Sequence, residues 1–292
     1  MLNPWEATGF FRLRSNQVEV LTADTLGFCG GVERAVAMAK STLERSVREG
    51  RKLYLYGGLV HNSFVCSYFS ARGAETIRSA EDADEGSIIV IRAHGLTDRE
   101  RSILISRNVE IVDCTCPVVL RGQDLVRSSY LPVLIFGYTG HSEAVTLVGS
   151  TADRVSIISS PEDLDRVEKG EYNGVVQTTF SATLLRKILE KAGEKGIMVN
   201  VLNHICQASV ERRKSVLRLL ERVDCLVVVG DRNSANTKEL AALADKRGFP
   251  CFLVGCADDI PRAVYDYERV GITAGASTPE EVFRSVKEKL EV

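Results

Sequence analysis

Three cysteines, Cys29, Cys116 and Cys206, stand at matching places in a pattern that occurs three times in this 292-residue chain. Each ends a strand-like segment and precedes an amphipathic run, and successive members lie about 90 residues apart. Thiolates bind metals, but the closely spaced C-x-x-C pairs usual for zinc are missing from the sequence. An iron–sulfur cluster tolerates widely spaced ligands, and a cluster held by three cysteines leaves one iron open to a substrate. The alternative is three core cysteines at strand ends.

The other five cysteines are expected to be structural. Cys114 lies two residues before Cys116, and we take Cys116 as the ligand and Cys114 as buried. The remaining ones stand within or beside apolar stretches, which favours small buried core positions. They are Cys66, Cys225, Cys251 and Cys256.

Three of the four histidines fall at loop tips in matching parts of the repeat, namely His61 in VHN, His94 in RAHG and His141 in GHSE. An imidazole can donate a hydrogen bond or carry charge near neutral pH, which suits an anionic ligand. A single histidine is more often structural, and the hypothesis depends on the recurrence. His204, beside Cys206, has no counterpart in the other repeats and is expected to be structural.

Other polar residues are expected at the same rim. Ser234 and Asn236 in RNSANT, with Ser277 in TAGAST, can donate to phosphate oxygens at a strand-to-helix turn. Glu143 and Thr178 pair a carboxylate with a hydroxyl and could relay protons, although a solvated surface glutamate is the alternative. The sequence has no P-loop or G-x-G-x-x-G motif, so a nucleotide cofactor is not indicated.

The elements around these residues predict the fold. In each repeat an amphipathic helix follows the cysteine, and then come an apolar strand with a Gly and polar loop, a short strand with an acidic segment, a third strand and a closing helix. The last of these helices is expected to begin at Thr278 as its N-cap. Strands alternating with helices predict mainly parallel sheets, whose carboxyl ends hold ligands.

Because the third repeat ends without a fourth strand, the spare N-terminal strand is expected to complete it. We therefore predict three similar α/β lobes in a pseudo-threefold ring around a central site. The predicted boundaries are an N-terminal extension at 1–17, a first lobe at 30–116, a second lobe at 117–206 and a third lobe at 207–292 plus the strand 18–29.

The composition is that of a globular protein, with 45% hydrophobic and 26% charged residues. The chain has 37 Lys plus Arg against 39 Asp plus Glu, and its formal net charge is −2. The sequence contains no basic block that would predict a nucleic-acid partner. It also contains no apolar run that would predict a membrane span or a secretory signal. We expect a cytoplasmic protein, in which thiols stay reduced.

From about residue 18 to 292 the sequence resembles the 4-hydroxy-3-methylbut-2-enyl diphosphate reductase family, also called IspH or LytB. The resemblance is carried by nine motifs in the family's order and spacing: GFCGGVERA, VHN, AHG, TCP, GHSE, QTT, IC, NSAN and TAGAS. It implies a three-lobed α/β fold around a 4Fe-4S cluster with one open iron. It also implies reductive removal of the allylic hydroxyl to give isopentenyl and dimethylallyl diphosphate, the last step of the methylerythritol phosphate route. An external ferredoxin or flavodoxin-type donor would supply the electrons.

The resemblance also implies roles for individual residues. Glu143 matches the proton donor, Thr178 lies next to the reacting hydroxyl, and His141 lies close to the substrate. The cluster ligands are matched by Cys29, Cys116 and Cys206, and the diphosphate-binding positions by His61, His94, Ser234, Asn236 and Ser277.

Three positions depart from the family pattern. Ala235 replaces a serine, Glu211 replaces an asparagine, and Ser142 replaces the proline that usually follows the histidine. The alternatives are a divergent paralogue that reduces another small anion, and a noncatalytic iron–sulfur sensor.

Overall fold

The computed structural model describes residues 18–150 and 154–292. The segment 1–17, assigned above to an N-terminal extension, lies outside the described residues. Within the described ranges, no helix is both long enough and apolar enough to cross a membrane.

The strands in these ranges form three sheets, each of four parallel strands. They are β1 (Glu19–Thr22), β2 (Leu53–Tyr56), β3 (Glu75–Ile77), β4 (Ile88–Ile91), β5 (Glu110–Asp113), β6 (Val133–Phe136), β7 (Val155–Ile158), β8 (Gly170–Val176), β9 (Ile197–Val201), β10 (Cys225–Val229), β11 (Cys251–Val254) and β12 (Arg269–Ala274). The helices are α1 (Gly30–Glu49), α2 (Ser63–Ser70), α3 (Asp98–Ser106), α4 (Pro117–Arg127), α5 (Ser142–Val148), α6 (Ala182–Glu194), α7 (Gln207–Leu220), α8 (Ala235–Asp245) and α9 (Glu280–Leu290).

All three sheets share one strand order. The first runs β3-β2-β4-β5 and the second β7-β6-β8-β9. The third runs β11-β10-β12-β1, so β1 takes the place that β5 and β9 hold in the other two. The pairing of the first strand with the last sheet confirms the predicted architecture of three similar α/β lobes in a pseudo-threefold ring. The residue boundaries of the lobes stay a prediction.

The central strands are covered on both faces, as parallel strands in α/β proteins are. Along β2, Leu53 and Leu55 join the apolar cluster that includes α1, whereas Tyr54 and Tyr56 join the cluster that includes Leu104 of α3. This alternation follows from the two-residue period of a strand. Burial on both faces fixes each sheet, and therefore the positions of the loops at its carboxyl edge.

A helix between the first and second strands of every repeat was not predicted. These three helices, α2, α5 and α8, begin immediately after polar residues that cap them: Asn62, His141 and Ser234 each accept a hydrogen bond from a backbone N–H of the first turn. The predicted polar loops are therefore helix N-termini.

Two local predictions were wrong. Helix α9 has Pro279 as its N-cap, because the Thr278 hydroxyl instead donates to the Val229 carbonyl at 3.0 Å. Cys256 is exposed and not part of the core, since it precedes a short 3₁₀ turn at Ala257–Asp259 on the surface. Cys225 is buried, and Cys66 and Cys251 are partly buried.

Candidate active site

The three repeated cysteines hold the same position in the three lobes. Cys29, Cys116 and Cys206 are the N-cap residues of α1, α4 and α7, and none of their side chains makes a cap hydrogen bond. All three are free thiols that line one cavity of about 110 Å³. Three helix N-termini therefore lie at the sulfurs, and the partial positive charge of a helix N-terminus attracts anionic groups.

The geometry around the sulfurs fits a shared inorganic group. A Cβ on Gly31 would lie 2.6 Å from the Cys116 Sγ and 4.0 Å from the Cys29 Sγ, so the missing side chain leaves room where the two sulfurs approach. Burial raises the pKa of Cys116, the backbone N–H groups of Val118 and Val119 lower it, and the neighbouring Cys29 and Cys206 raise it again. Cys114 is fully buried in the core of the first lobe, as predicted.

Glu143 and Thr178 form a closed hydrogen-bonded pair at the same cavity. The Thr178 hydroxyl donates to Glu143 Oε2 at 2.6 Å, and the Thr178 backbone N–H donates to Glu143 Oε1 at 2.8 Å. Glu143 is only 2% exposed, which excludes the solvated surface glutamate. Burial raises its pKa to about 7 although both Thr178 hydrogen bonds lower it. A carboxyl group with this pKa can donate a proton near neutral pH.

The three loop-tip histidines converge. The ring centroids of His61 and His94 are 4.7 Å apart, those of His94 and His141 5.6 Å, and those of His61 and His141 6.2 Å. Burial lowers the pKa of all three, to about 4 for His141, and the nearby Arg92 guanidinium lowers it further. The charge of His61 also lowers the pKa of His94 and of His141. They are therefore neutral near pH 7 and can donate hydrogen bonds. The other role that the sequence left open, a positively charged imidazole, is disfavoured in the ligand-free protein.

Buried polar groups with unused hydrogen-bonding capacity line the same cavity as the histidines. The Asn236 Oδ1 accepts from the Ala276 backbone N–H at 2.9 Å, while its buried Nδ2 has no hydrogen-bond partner among the described residues. The Ser277 hydroxyl donates to the His61 carbonyl at 3.0 Å and lies 3.5 Å from the Ser234 hydroxyl. In the same described part of the chain, the buried Nδ1 of His94 also lacks a hydrogen-bond partner. Unpaired buried polar atoms are costly, so these groups are available to a polar ligand.

The structure thus brings all the predicted site residues to one cavity. Its lining includes Cys29, His61, His94, Cys116, His141, Glu143, Thr178, Cys206, Ser234, Asn236 and Ser277. Sequence reasoning missed two arginines, one in the cavity wall and one close to the histidines. Arg92 acts on the pKa of the histidines, and Arg212 lines the cavity. The position of Arg92 two residues before His94 was a usable signal, whereas Arg212 lies in a charged run typical of a solvated helix face.

A second cavity of about 500 Å³ adjoins the first and shares His141, Thr179 and Ala235 with it. Arg213 and Glu239 form an ion pair of 2.9 Å in its wall.

Residues 20–291 match the profile of the LytB protein family. The chain belongs to this family. Among LytB relatives, the 4-hydroxy-3-methylbut-2-enyl diphosphate reductase of Geobacter metallireducens is 32% identical over 278 residues, which cover 94% of this chain and 97% of the relative. The reductase of that name from Treponema denticola is 32% identical over 284 residues, 93% of this chain and 98% of the relative.

Two solved structures share the LytB fold. The E-1-hydroxy-2-methyl-but-2-enyl-4-diphosphate reductase of Plasmodium falciparum superposes with a TM-score of 0.86 at 24% identity, covering 93% of this chain and 87% of that one. An (E)-4-hydroxy-3-methyl-but-2-enyl diphosphate reductase, described as the terminal enzyme of the non-mevalonate pathway, superposes with a TM-score of 0.70 at 26% identity, covering 94% and 99%. These superpositions confirm the three-lobed fold class.

The lowered pKa of His141 predicts a loss of stability in acid. In the unfolded chain this histidine has a pKa near 6.5, whereas in the folded protein it takes up a proton only near pH 4. Between these values the unfolded chain binds more protons, so the free energy of unfolding falls as the pH drops. Between pH 7 and pH 5 the penalty is about 2 kcal/mol. His141→Asn, which can still cap α5, should lack this component in urea unfolding at the two pH values. Equal pH dependence of wild type and variant would reject the assigned shift.

Proposed function

We propose that this LytB family member is a 4-hydroxy-3-methylbut-2-enyl diphosphate reductase of isoprenoid biosynthesis. The observation that carries the proposal is the convergence of three cysteines at helix N-cap positions, three neutral histidines and the Glu143–Thr178 pair on one cavity. The names of the relatives agree with it and do not favour a divergent paralogue. A noncatalytic sensor has no need for a buried carboxyl group with a pKa of about 7.

Cys29, Cys116 and Cys206 would hold a 4Fe-4S cluster through their thiolates, one from each lobe. When bound, such a cluster supplies electrons one at a time and an open iron that acts as a Lewis acid. The fit rests on the donor set: three free thiols without cap hydrogen bonds, at three helix N-termini that stabilise negative charge. With three ligands from the chain, one iron of such a cluster would have no protein ligand and would be open to the substrate.

Glu143 would deliver the proton that turns the leaving hydroxyl into water. Its two oxygens are held by the Thr178 hydroxyl and backbone N–H, so its orientation is fixed before the substrate arrives. His141 supports this orientation, because its Nδ1 accepts the backbone N–H of Glu143 at 3.2 Å. That hydrogen bond leaves the Nε2 proton of His141 to donate to the substrate.

The diphosphate would be bound by neutral donors. The free Nδ2 of Asn236, the hydroxyls of Ser234 and Ser277, and the imidazoles of His61 and His94 line the same part of the cavity. In a site from which water is excluded, such preorganised donors are stronger than in solution. The Arg92 guanidinium adds a positive charge close enough to affect the histidines.

The overall reaction removes a hydroxyl group with two electrons and two protons and releases one water. The products would be isopentenyl and dimethylallyl diphosphate. An external reduced protein of the ferredoxin or flavodoxin type would supply the electrons, and we place the reaction in the cytoplasm.

Anaerobic purification with iron and sulfide analysis, followed by an assay with reduced viologen and the hydroxylated diphosphate, tests the proposal. We expect about four irons and four sulfides per chain and formation of both products. The chain should also restore isoprenoid synthesis in cells that lack their own reductase. A full cluster without turnover or rescue would overturn the proposed substrate, and protein without iron would overturn the proposed centre.

A further inference from the structure

Arg212 is a fully buried cation, and none of the described residues offers it a carboxylate partner. Its side chain lies in α7 at 1% exposure and is the largest of the fully buried side chains in the described part of the protein. Its Nη2 donates to the Gly27 carbonyl at 2.7 Å and its Nη1 to the Ala208 carbonyl at 3.3 Å, while its buried Nε has no partner within 18–150 and 154–292. Carbonyl oxygens satisfy hydrogen bonds but do not neutralise a charge, and a buried charge is costly unless an opposite charge compensates it.

The groups that can compensate this charge are thiolates. Arg212 lines the cavity together with Cys29 and Cys206, and the negative charge of these two sulfurs raises the pKa of Arg212 against the lowering by burial. Its hydrogen bond to Gly27 ties α7 to the turn that precedes Cys29, so the guanidinium connects the segments that carry two of the three sulfurs. Its neighbour Arg213 differs, since it forms an ion pair with Glu239 and lines the second cavity.

We propose that Arg212 is a positioning residue whose buried charge balances the thiolate-bound cluster and makes that cluster easier to reduce. This inference rests on the proposed cluster at Cys29, Cys116 and Cys206. Adding an electron makes the centre more negative, and a fixed cation stabilises the more negative state, most strongly where water is excluded. The charge therefore raises the reduction potential. Its two backbone hydrogen bonds hold the guanidinium in place.

Redox titration of the cluster-loaded protein tests this proposal. We compare wild type with Arg212→Met, which keeps an apolar stem of similar length without the charge, and with Arg212→Lys, which keeps the charge. Arg213→Gln is the matched control, because it changes an adjacent arginine whose charge is already paired. For Arg212→Met we expect a reduced-to-oxidised ratio at least tenfold lower at a fixed potential, or about 59 mV for a one-electron couple. Arg212→Lys should recover most of the shift, and Arg213→Gln should match wild type.

The outcomes separate this inference from the proposed function. An unshifted potential in Arg212→Met with full iron content would overturn the role of Arg212 and leave the reductase proposal intact. Wild-type protein without a cluster would overturn both. If Arg212→Met folds with a native circular dichroism spectrum but binds no cluster, iron binding in Arg212→Lys supports the charge role. Loss of the cluster in Arg212→Lys as well would show that shape matters and not charge, and would overturn the inference.

Discussion

Cys116→Ala should remove the bound iron, the broad visible absorption of the cluster and all turnover. The Cys116 sulfur lies at the start of α4 and lines the cavity, and among the described residues only Cys29 and Cys206 hold equivalent N-cap positions at this cavity. With two thiolates left, a cubane would have two open irons, and such centres lose metal. Iron analysis and the visible spectrum of anaerobically purified protein check the result.

Cys114→Ala is the matched control for this experiment. The two cysteines are separated by one residue, but Cys114 is completely buried in the core. Burial raises its pKa to about 11. The substitution should cost about 1 kcal/mol of stability and leave the iron content unchanged. Full iron in Cys116→Ala, or loss of iron in Cys114→Ala with an intact fold, would contradict the assigned ligand set.

The threefold repeat made the ring of lobes predictable from the sequence, whereas three of the helices were not predictable. Helices α2, α5 and α8 span only seven to eleven residues, and α2 with SFVCSYFS has no clear helical period. Helices this short are marginal in isolation and depend on tertiary packing and on their caps. Local pattern therefore gave the polar residues but not the helix starts that orient them.

The convergence of the site was predictable because it depends on topology alone. Parallel strands place their carboxyl-end loops at one edge, and three such edges meet in the ring. The different locations of the Cys114 and Cys116 side chains could not be derived from strand alternation, because residues two apart in a strand lie on the same face. β5 ends at Asp113 and α4 begins at Pro117, so the chain turns between them and sends one sulfur to the core and the other to the cavity.

The electrostatics of the site were beyond sequence reasoning. A histidine gives no sign in the sequence of whether it is neutral, and His94 is neutral because its burial combines with His61, His141 and Arg92 around it. Arg212 stands among Glu211, Arg213 and Lys214, a run that predicts a solvated face, yet it is buried. Desolvation depends on what other lobes place over a side chain, and that information is absent from local sequence.

Glu143→Gln should slow the reduction about 100- to 10,000-fold with little change in substrate affinity, because it removes the proton and keeps the shape of the side chain. Wild-type turnover should fall as pH rises through about 7, where the Glu143 carboxyl group loses its proton. The residual turnover of the glutamine variant should lack this step. A pH–rate profile of kcat with reduced viologen as electron donor measures both effects, and equal kcat values would reject Glu143 as the acid.

The same substitution should stabilise the protein, because a buried carboxylate is retained at a cost. The folded-state pKa of about 7 lies above the unfolded value near 4.5, so the folded protein holds a proton that the unfolded chain has released, and stability falls as pH rises through this window. At pH 8 the cost is about 3 kcal/mol. Urea unfolding at pH 5 and pH 8 should show Glu143→Gln gaining stability mainly at pH 8, while Glu171→Gln, an exposed carboxylate on β8, changes neither value. A variant that turns over more slowly but is more stable indicates that Glu143 serves proton transfer. If Glu143 were purely structural, its replacement would lower the stability of the protein.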